Sequence, residues 1–262
     1  MNERKTLIIT GGSSGIGRAT AALFKERGWR VYELSRHGVG AEGIEHIDCD
    51  VTRVGDCQSA VRQVLADADR IDVLICNAGM GISGPIEMTD DAAAHRLMEV
   101  NLHGAMHMVQ AVLPQMRRQR GGRIVLVSSV ASIFSIPYQA WYSASKAALN
   151  AMALALRNEV REHGIEVACL LPGDVRTGFT EARQKDERGV EIYPRMRRSV
   201  EAMERDERHG MAPEKIACRL WRMANSRHVA VYNVAGWGYK VLCIVERFLP
   251  RTLVNWVVGK LY

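Results

Sequence analysis

Tyr142 stands four residues before Lys146 in the run YSASK, with only Ser143, Ala144 and Ser145 between them. On a helix this spacing puts a phenol and an ammonium on one face. A free tyrosine titrates near pH ~10, too high for proton transfer at neutrality. A neighbouring cation favours the phenolate and draws that value down. The pair therefore reads as a general acid–base unit, and the small residues between leave room for what is to be protonated. Alone, the pattern is too short to be told from a surface pair without a role, so its company decides.

The first companion is TGGSSGIG, Thr10 to Gly17, between an apolar strand TLIIT and a helical segment ATAALFKERG stopped by Gly28. Glycines allow a tight turn and close backbone approach, and a helix start offers free N–H groups and the positive end of its dipole. Gly11, Ser13, Ser14, Gly15, Ile16 and Gly17 thus form a candidate pyrophosphate cradle. The end of the next strand, RVYEL, chooses between dinucleotides. An NAD site places an acid there for the ribose 2′-hydroxyl, whereas an arginine accepts a 2′-phosphate. This chain has Ser35 and Arg36. NADP(H) is preferred, NAD(H) is the alternative, and a solvated loop arginine is the bland reading.

Strands must carry these loops. Apolar runs of strand length alternate with helix-period segments, which predicts an α/β fold: a Rossmann-like doubly wound parallel sheet between two helical layers, as one domain over 1–262. IEHIDCDV, IDVLICNAG, GRIVLVSS and IEVACLLPG read as further strands, with VAVY (Val229 to Tyr232) as a seventh. The connection SRHGVGAEG is too short and glycine-rich for a crossover helix. Thr52 is a candidate cap for the helix after it. A long helix is expected from about Asp90 to Gln119, disturbed near its end by Pro114, and another over Trp141 to His163 with Gly164 as its stop.

The 262 residues suffice for one sizeable core, and the formal net charge of +6 is a mild basic excess. No nucleic-acid module appears, and no apolar run is long enough to span a bilayer. Six scattered cysteines without a CxxC pair, and no secretory signal, point to a reducing, cytoplasmic setting.

From about residue 5 to 180 the chain resembles the short-chain dehydrogenase/reductase family. TGGSSGIG matches its TGxxxGxG, Asp50-Val51 the acidic residue that meets adenine, and Asn77-Ala78-Gly79 its NAG stretch. Asn101 matches the asparagine of its fourth helix. Ser129 lies thirteen positions before Tyr142, and YSASK fits YxxxK. Pro172-Gly173 with Val175 and Thr177 fits the loop that holds the nicotinamide carboxamide. Cys76 departs from the family, which often has a second asparagine there.

The resemblance implies that Tyr142 protonates a carbonyl oxygen while NADPH gives hydride to its carbon, or the reverse with an alcohol. Ser129 would orient that oxygen. Neighbours on a strand point opposite ways, so one of Ser128 and Ser129 faces the cleft, and the family spacing selects Ser129. Lys146 would bind the ribose hydroxyls, and Asn101 would hold a water relaying protons to Lys146. A homodimer or homotetramer packed through the long helices is also implied, as is a lipophilic carbonyl or alcohol substrate.

Residues 178–212 are densely charged and read as a solvated helix pair, a lid over the substrate, or both. Residues 236–262 are apolar and basic: they could close the pocket, bury a subunit contact, or lie on an anionic membrane with Lys240, Arg247, Arg251 and Lys260. Met203, Met211 and Tyr193 read equally as cleft lining or as packing. His103 and His107 have zinc-compatible spacing but no third ligand, so no metal is expected. Two rival functions stay open, a non-catalytic NADP(H) sensor and a sugar-nucleotide epimerase. The Asn101, Ser129, Tyr142, Lys146 set argues against the first, and the small C-terminal segment against the second.

Overall fold

The computed structural model describes residues 4–38 and 40–262. In chain order the elements are β1 (Thr6–Thr10), α1 (Gly15–Glu26), β2 (Arg30–Ser35), β3 (Glu45–Asp48), α2 (Val54–Asp67), β4 (Val73–Cys76) and β5 (Ile82–Ser83). Next come α3 (Asp91–Met98), α4 (Gly104–Arg118), β6 (Gly122–Val127), α5 (Ala140–Glu159) and β7 (Ile165–Pro172). The last are α6 (Phe179–Ala182), β8 (Gln184–Lys185), α7 (Met196–Arg208), α8 (Pro213–Asn225), β9 (Tyr232–Ala235), α9 (Trp237–Glu246) and α10 (Arg251–Leu261).

Seven strands form one parallel sheet in the order β3-β2-β1-β4-β6-β7-β9. Alternation along the strands sorts the core to two faces. In β1, Ile8 packs with Val61 and Val64 of α2, Met108 and Val112 of α4, and Leu149 and Ala153 of α5. Its neighbours Leu7 and Ile9 pack on the other face with Phe24 of α1 and Ile216 and Leu220 of α8. The result is the expected three-layer α/β/α arrangement. The chain order reverses between β1 and β4, where a doubly wound sheet opens a crevice at its carboxyl edge.

Four expectations shift. The seventh strand runs over Tyr232–Ala235, not Val229 to Tyr232, because polar Asn233 can enter the sheet: its Nδ2 donates to the Ala230 carbonyl at 2.7 Å. Thr52 does not cap α2, which starts after Arg53; its hydroxyl donates to Asp50 Oδ1 at 2.8 Å. The helix expected over Trp141 to His163 ends at Glu159. A short 3-10 turn, Arg161–His163, follows, and Gly164 stops it with φ +71°. The long helix near Asp90 is three pieces, α3 and α4 joined by a π-helical turn over Glu99–His103. Between β2 and β3 the described residues form turns and one isolated bridge, with no crossover helix. Among the described residues no helix is long and apolar enough to cross a membrane.

Candidate active site

A cleft of about 330 Å³ opens at the carboxyl ends of β1, β4, β6 and β7. Its floor is stitched from two loops. Thr10 Oγ1 accepts the N–H groups of Asn77 and Ala78 at 3.0 Å each, and Asn77 Nδ2 donates to the Thr10 carbonyl at 3.0 Å and the Gly11 carbonyl at 3.1 Å. Gly11 takes φ +64°, and a Cβ on it would lie 3.1 Å from the Ala78 Cα. A Cβ on Gly17 would overlap the Gly11 carbonyl. Ser14 precedes α1 without a side-chain cap, so the helix start keeps its N–H groups for a ligand. Gly11, Ser14, Gly15, Ile16, Asn77, Ala78 and Gly79 border the cleft from this side, and Pro172, Gly173, Val175 and Thr177 border it from β7. Such a shaped, donor-lined floor fits a dinucleotide. Ser13, exposed, and Gly17, buried under the turn, do not border the cleft.

Ser35, Arg36, Asp50 and Val51 lie apart from that cleft, at the carboxyl ends of β2 and β3. Arg36 is exposed, and its charge reaches Asp50. Burial pushes the Asp50 carboxyl up, but bonds from Thr52 and the charges of Arg36 and Arg53 outweigh it and leave it below its ordinary value. Val51 is buried, and its carbonyl accepts from His107 Nδ1 at 2.9 Å. His103 pairs with Glu99 instead. Cys76, the departure from the family, is buried with its thiol on the Ala105 carbonyl at 3.7 Å.

Ser129, Tyr142 and Lys146 meet in the cleft. Ser129 follows β6 and accepts the Ala131 N–H at 3.1 Å, which fixes the turn that presents its hydroxyl. Ser128 is sealed, with its hydroxyl on the Lys146 carbonyl at 3.0 Å. Lys146 Nζ sits 5.7 Å from the centre of the Tyr142 ring and donates to the Val127 carbonyl at 2.9 Å. Burial lowers Lys146 to about 8.

The expected downward pull of Lys146 on Tyr142 is not what the chain by itself shows. Burial pushes the phenol up to about 12. A hydrogen bond with Ser129 and the charge of Arg183 act downward, while Glu207 and Asp174 act upward.

Asn101 is buried behind the cleft in the π-helical turn. Its Oδ1 accepts the Met80 N–H at 2.8 Å, and its Nδ2 donates to the Met80 carbonyl and to Ser145 Oγ, both at 3.0 Å. Asn101 thereby ties the loop after β4 to the helix that carries Tyr142 and Lys146. A π turn is a common way to re-aim one side chain at a functional site, and the sequence carries no visible signal of it.

The outer walls are apolar: Ile136, Phe179, Ala182 and Met203. Phe179 stacks obliquely on Tyr142 with ring centres 5.8 Å apart. Of the three uncertain lining residues, Met203 borders the cleft, Met211 packs against Gly236, and Tyr193 sits outside against Tyr138. Asp174, Glu207 and Gln139 also border the cleft and were missed. Asp174 lies inside the run PGDVRT, between residues that the motif did flag.

A family profile described as short chain dehydrogenase matches residues 5–188. The chain is 34% identical to a 3-ketodihydrosphingosine reductase of Bacteroides thetaiotaomicron, over 99% of this chain and 98% of that one. It is 33% identical to the uncharacterized oxidoreductase YbbO of Escherichia coli K12, over 96% and 93%. A short-chain dehydrogenase from Streptomyces avermitilis superposes with a TM-score of 0.84 at 27% identity, covering 95% of this chain and 96% of that chain. The protein belongs to the short chain dehydrogenase family, is an oxidoreductase, and has that family's nicotinamide-dinucleotide fold.

Proposed function

We propose that the protein is an NADP(H)-dependent reductase of a long-chain, lipophilic ketone. One observation carries this: Ser129 and Tyr142 border one cleft beside Lys146, under walls made by Ile136, Phe179 and Met203. The near full-length likeness to a 3-ketodihydrosphingosine reductase supports the substrate class.

Ser129 and Tyr142 donate to the substrate's carbonyl oxygen and fix its orientation. When bound, the dinucleotide supplies the hydride that the carbonyl carbon accepts. Tyr142 passes its proton to the oxygen as negative charge builds there. Its preference for the protonated state keeps it a donor until that moment. Lys146 anchors the ribose hydroxyls and stabilises the phenolate left behind. Asn101 holds the wall at Met80 and positions a water that relays protons to Lys146.

Arg36 supports the NADP(H) preference. Glu33, the carboxylate on the same strand, is buried and tied to His46 and Ser35, so Arg36 is the side chain offered at the end of β2. NAD(H) remains the alternative. Residues 178–212 form the lid: α6 and α7 bring Phe179, Ala182 and Met203 over the cleft while their outer faces stay solvated.

The α9–α10 face meets an anionic bilayer. Trp237 is 82% exposed and Phe248 83%, and Trp256 and Leu261 are exposed as well. Lys240, Arg247, Arg251 and Lys260 accompany this apolar surface against a single acid, Glu246. Tyr239 of the same segment packs on Gly173, so the face adjoins the mouth of the cleft.

The test follows oxidation of NADPH and, separately, NADH with long-chain ketones and with small sugars. NADPH-dependent reduction of a long-chain ketone, lost in Tyr142→Phe, is expected. Turnover confined to sugars, or surviving in Tyr142→Phe, would overturn the reading.

A further inference from the structure

The cleft contains a carboxylate that ketone reduction does not require. Asp174 leaves β7 directly after Gly173 and borders the cleft with Tyr142. Its backbone is clamped. The Met211 N–H donates to its carbonyl at 2.8 Å, Val175 and Met211 form a bridge, and a Cβ on Gly210 would lie 2.5 Å from the Asp174 carbonyl oxygen. The Tyr239 hydroxyl donates to Oδ2, and the clamped backbone fixes where the carboxylate sits. Oδ1 has no hydrogen-bond partner among the described residues and is not sealed from solvent.

Glu207 differs. Thr180 donates to its Oε2 at 2.7 Å and Arg183 to its Oε1, so both oxygens are used and its charge is matched. Lys146 is turned away, onto the Val127 carbonyl. Asp174 is therefore the carboxylate of the cleft with no ion pair among the described residues; the charge of Arg183 reaches it, but those of Glu207 and Asp206 act the other way. A second buried polar group at the same end also lacks partners: the Arg183 side chain is 1% exposed, and its Nε and Nη1 bond to nothing among the described residues. A wholly apolar ketone leaves both groups unanswered. A ketone whose head carries a cation for Asp174 and an acceptor oxygen for Arg183 answers them, since a buried unpaired charge is costly and a charge-assisted hydrogen bond is strong.

Resting on the ketone-reductase reading, we propose that Asp174 selects an amino ketone: Oδ1 receives a protonated amine carried on the carbon next to the carbonyl. The amine also removes an obstacle to proton transfer. A bare carboxylate near Tyr142 opposes the phenolate that proton donation creates, and an ammonium beside it cancels that opposition.

The test uses the NADPH-loaded enzyme and a matched pair of substrates, a long-chain 2-amino-3-ketone and its N-acetyl derivative. The free amine should be favoured in kcat/KM by about 10- to 100-fold, the range of one charge-assisted hydrogen bond. Asp174→Asn keeps an acceptor for Tyr239 and should bring that ratio close to one. Tyr239→Phe leaves the charge in place and should keep the preference.

Equal use of both substrates by the unaltered enzyme, or a parallel fall for both in Asp174→Asn, would sink the proposal. Loss of the preference in Tyr239→Phe would assign it to packing and do the same. Good turnover of the N-acetyl ketone alone would leave the reductase reading standing while this one fell. Calorimetric titration of the loaded enzyme with the corresponding free amino alcohol covers the case of no turnover. Binding that weakens in Asp174→Asn supports the amine site, and no binding overturns it.

Discussion

The half of the molecule that floors the cleft and the half that walls it are built on different physics. From β1 to β7 the site is set by backbone. Gly12 and Gly17 stand where a Cβ has no room, and the loop after β1 is bonded to the loop after β4 through Thr10 and Asn77. From α6 onward the walls are set by side chains, with Glu207 pairing Arg183 and Tyr239 donating to Asp174. Backbone sterics tolerate almost no substitution, whereas side-chain pairs can be exchanged one at a time. A family can thus keep one chemistry in the first half and change its substrate in the second.

The sharpest break of the first half is Tyr142→Phe. It should lower kcat/KM by on the order of 10²- to 10⁴-fold, the reach of one general acid, with dinucleotide affinity retained in a fluorescence titration. Survival of activity would remove the phenol from the mechanism.

Lys146→Met separates function from stability in the same helix. Activity should fall steeply while the protein becomes more stable. The shift of Lys146 from its ordinary 10.5 to about 8 corresponds to a burial cost of roughly 3 kcal/mol. The unfolded chain holds the proton more tightly, so this cost is full below pH ~8 and fades as pH rises toward 10.5. The gain in Tm should therefore be several degrees at pH 7 and small at pH 10, as calorimetry at both values will show.

Arg36→Asp tests the rim of the first half. The kcat/KM ratio for NADPH over NADH should drop by about 10- to 100-fold, as expected for loss of a charge-assisted phosphate contact. An unchanged ratio would reduce Arg36 to a solvated loop residue.

The smallest effect belongs to the second half. Lys240→Gln should weaken binding to vesicles containing phosphatidylglycerol by about fivefold, roughly 1 kcal/mol per basic group near a charged surface. Binding to neutral vesicles should barely change. If instead the unaltered protein pairs with a second copy through this face, sedimentation will show a dimer and vesicles will not compete for it.

How far the sequence could be read follows the same division. TGGSSGIG, NAG, YSASK and PGDVRT are local, and each needs its own few residues to make its turn or helix face. The parallel sheet was legible from buried strands such as VLIC and LLP alternating with helical periods. The strand at Tyr232–Ala235 was misplaced because local pattern counts Asn233 as a break, while the folded chain gives its side chain the Ala230 carbonyl and Arg219 as partners. Thr52 looked like a helix cap, but the neighbouring Asp50 takes its hydroxyl.

By itself the sequence determined the sheet, the glycine-rich loop and the residues Ser129, Tyr142 and Lys146 that meet in the cleft, because these depend on residue type at short spacing. Only the tertiary structure decided what surrounds them. The π-helical turn that aims Asn101 at Met80, the burial that raises Tyr142 and lowers Lys146, and the unpartnered oxygen of Asp174 all join residues far apart in the chain. Burial and unmatched charge are properties of an environment, and an environment exists only once the chain has folded.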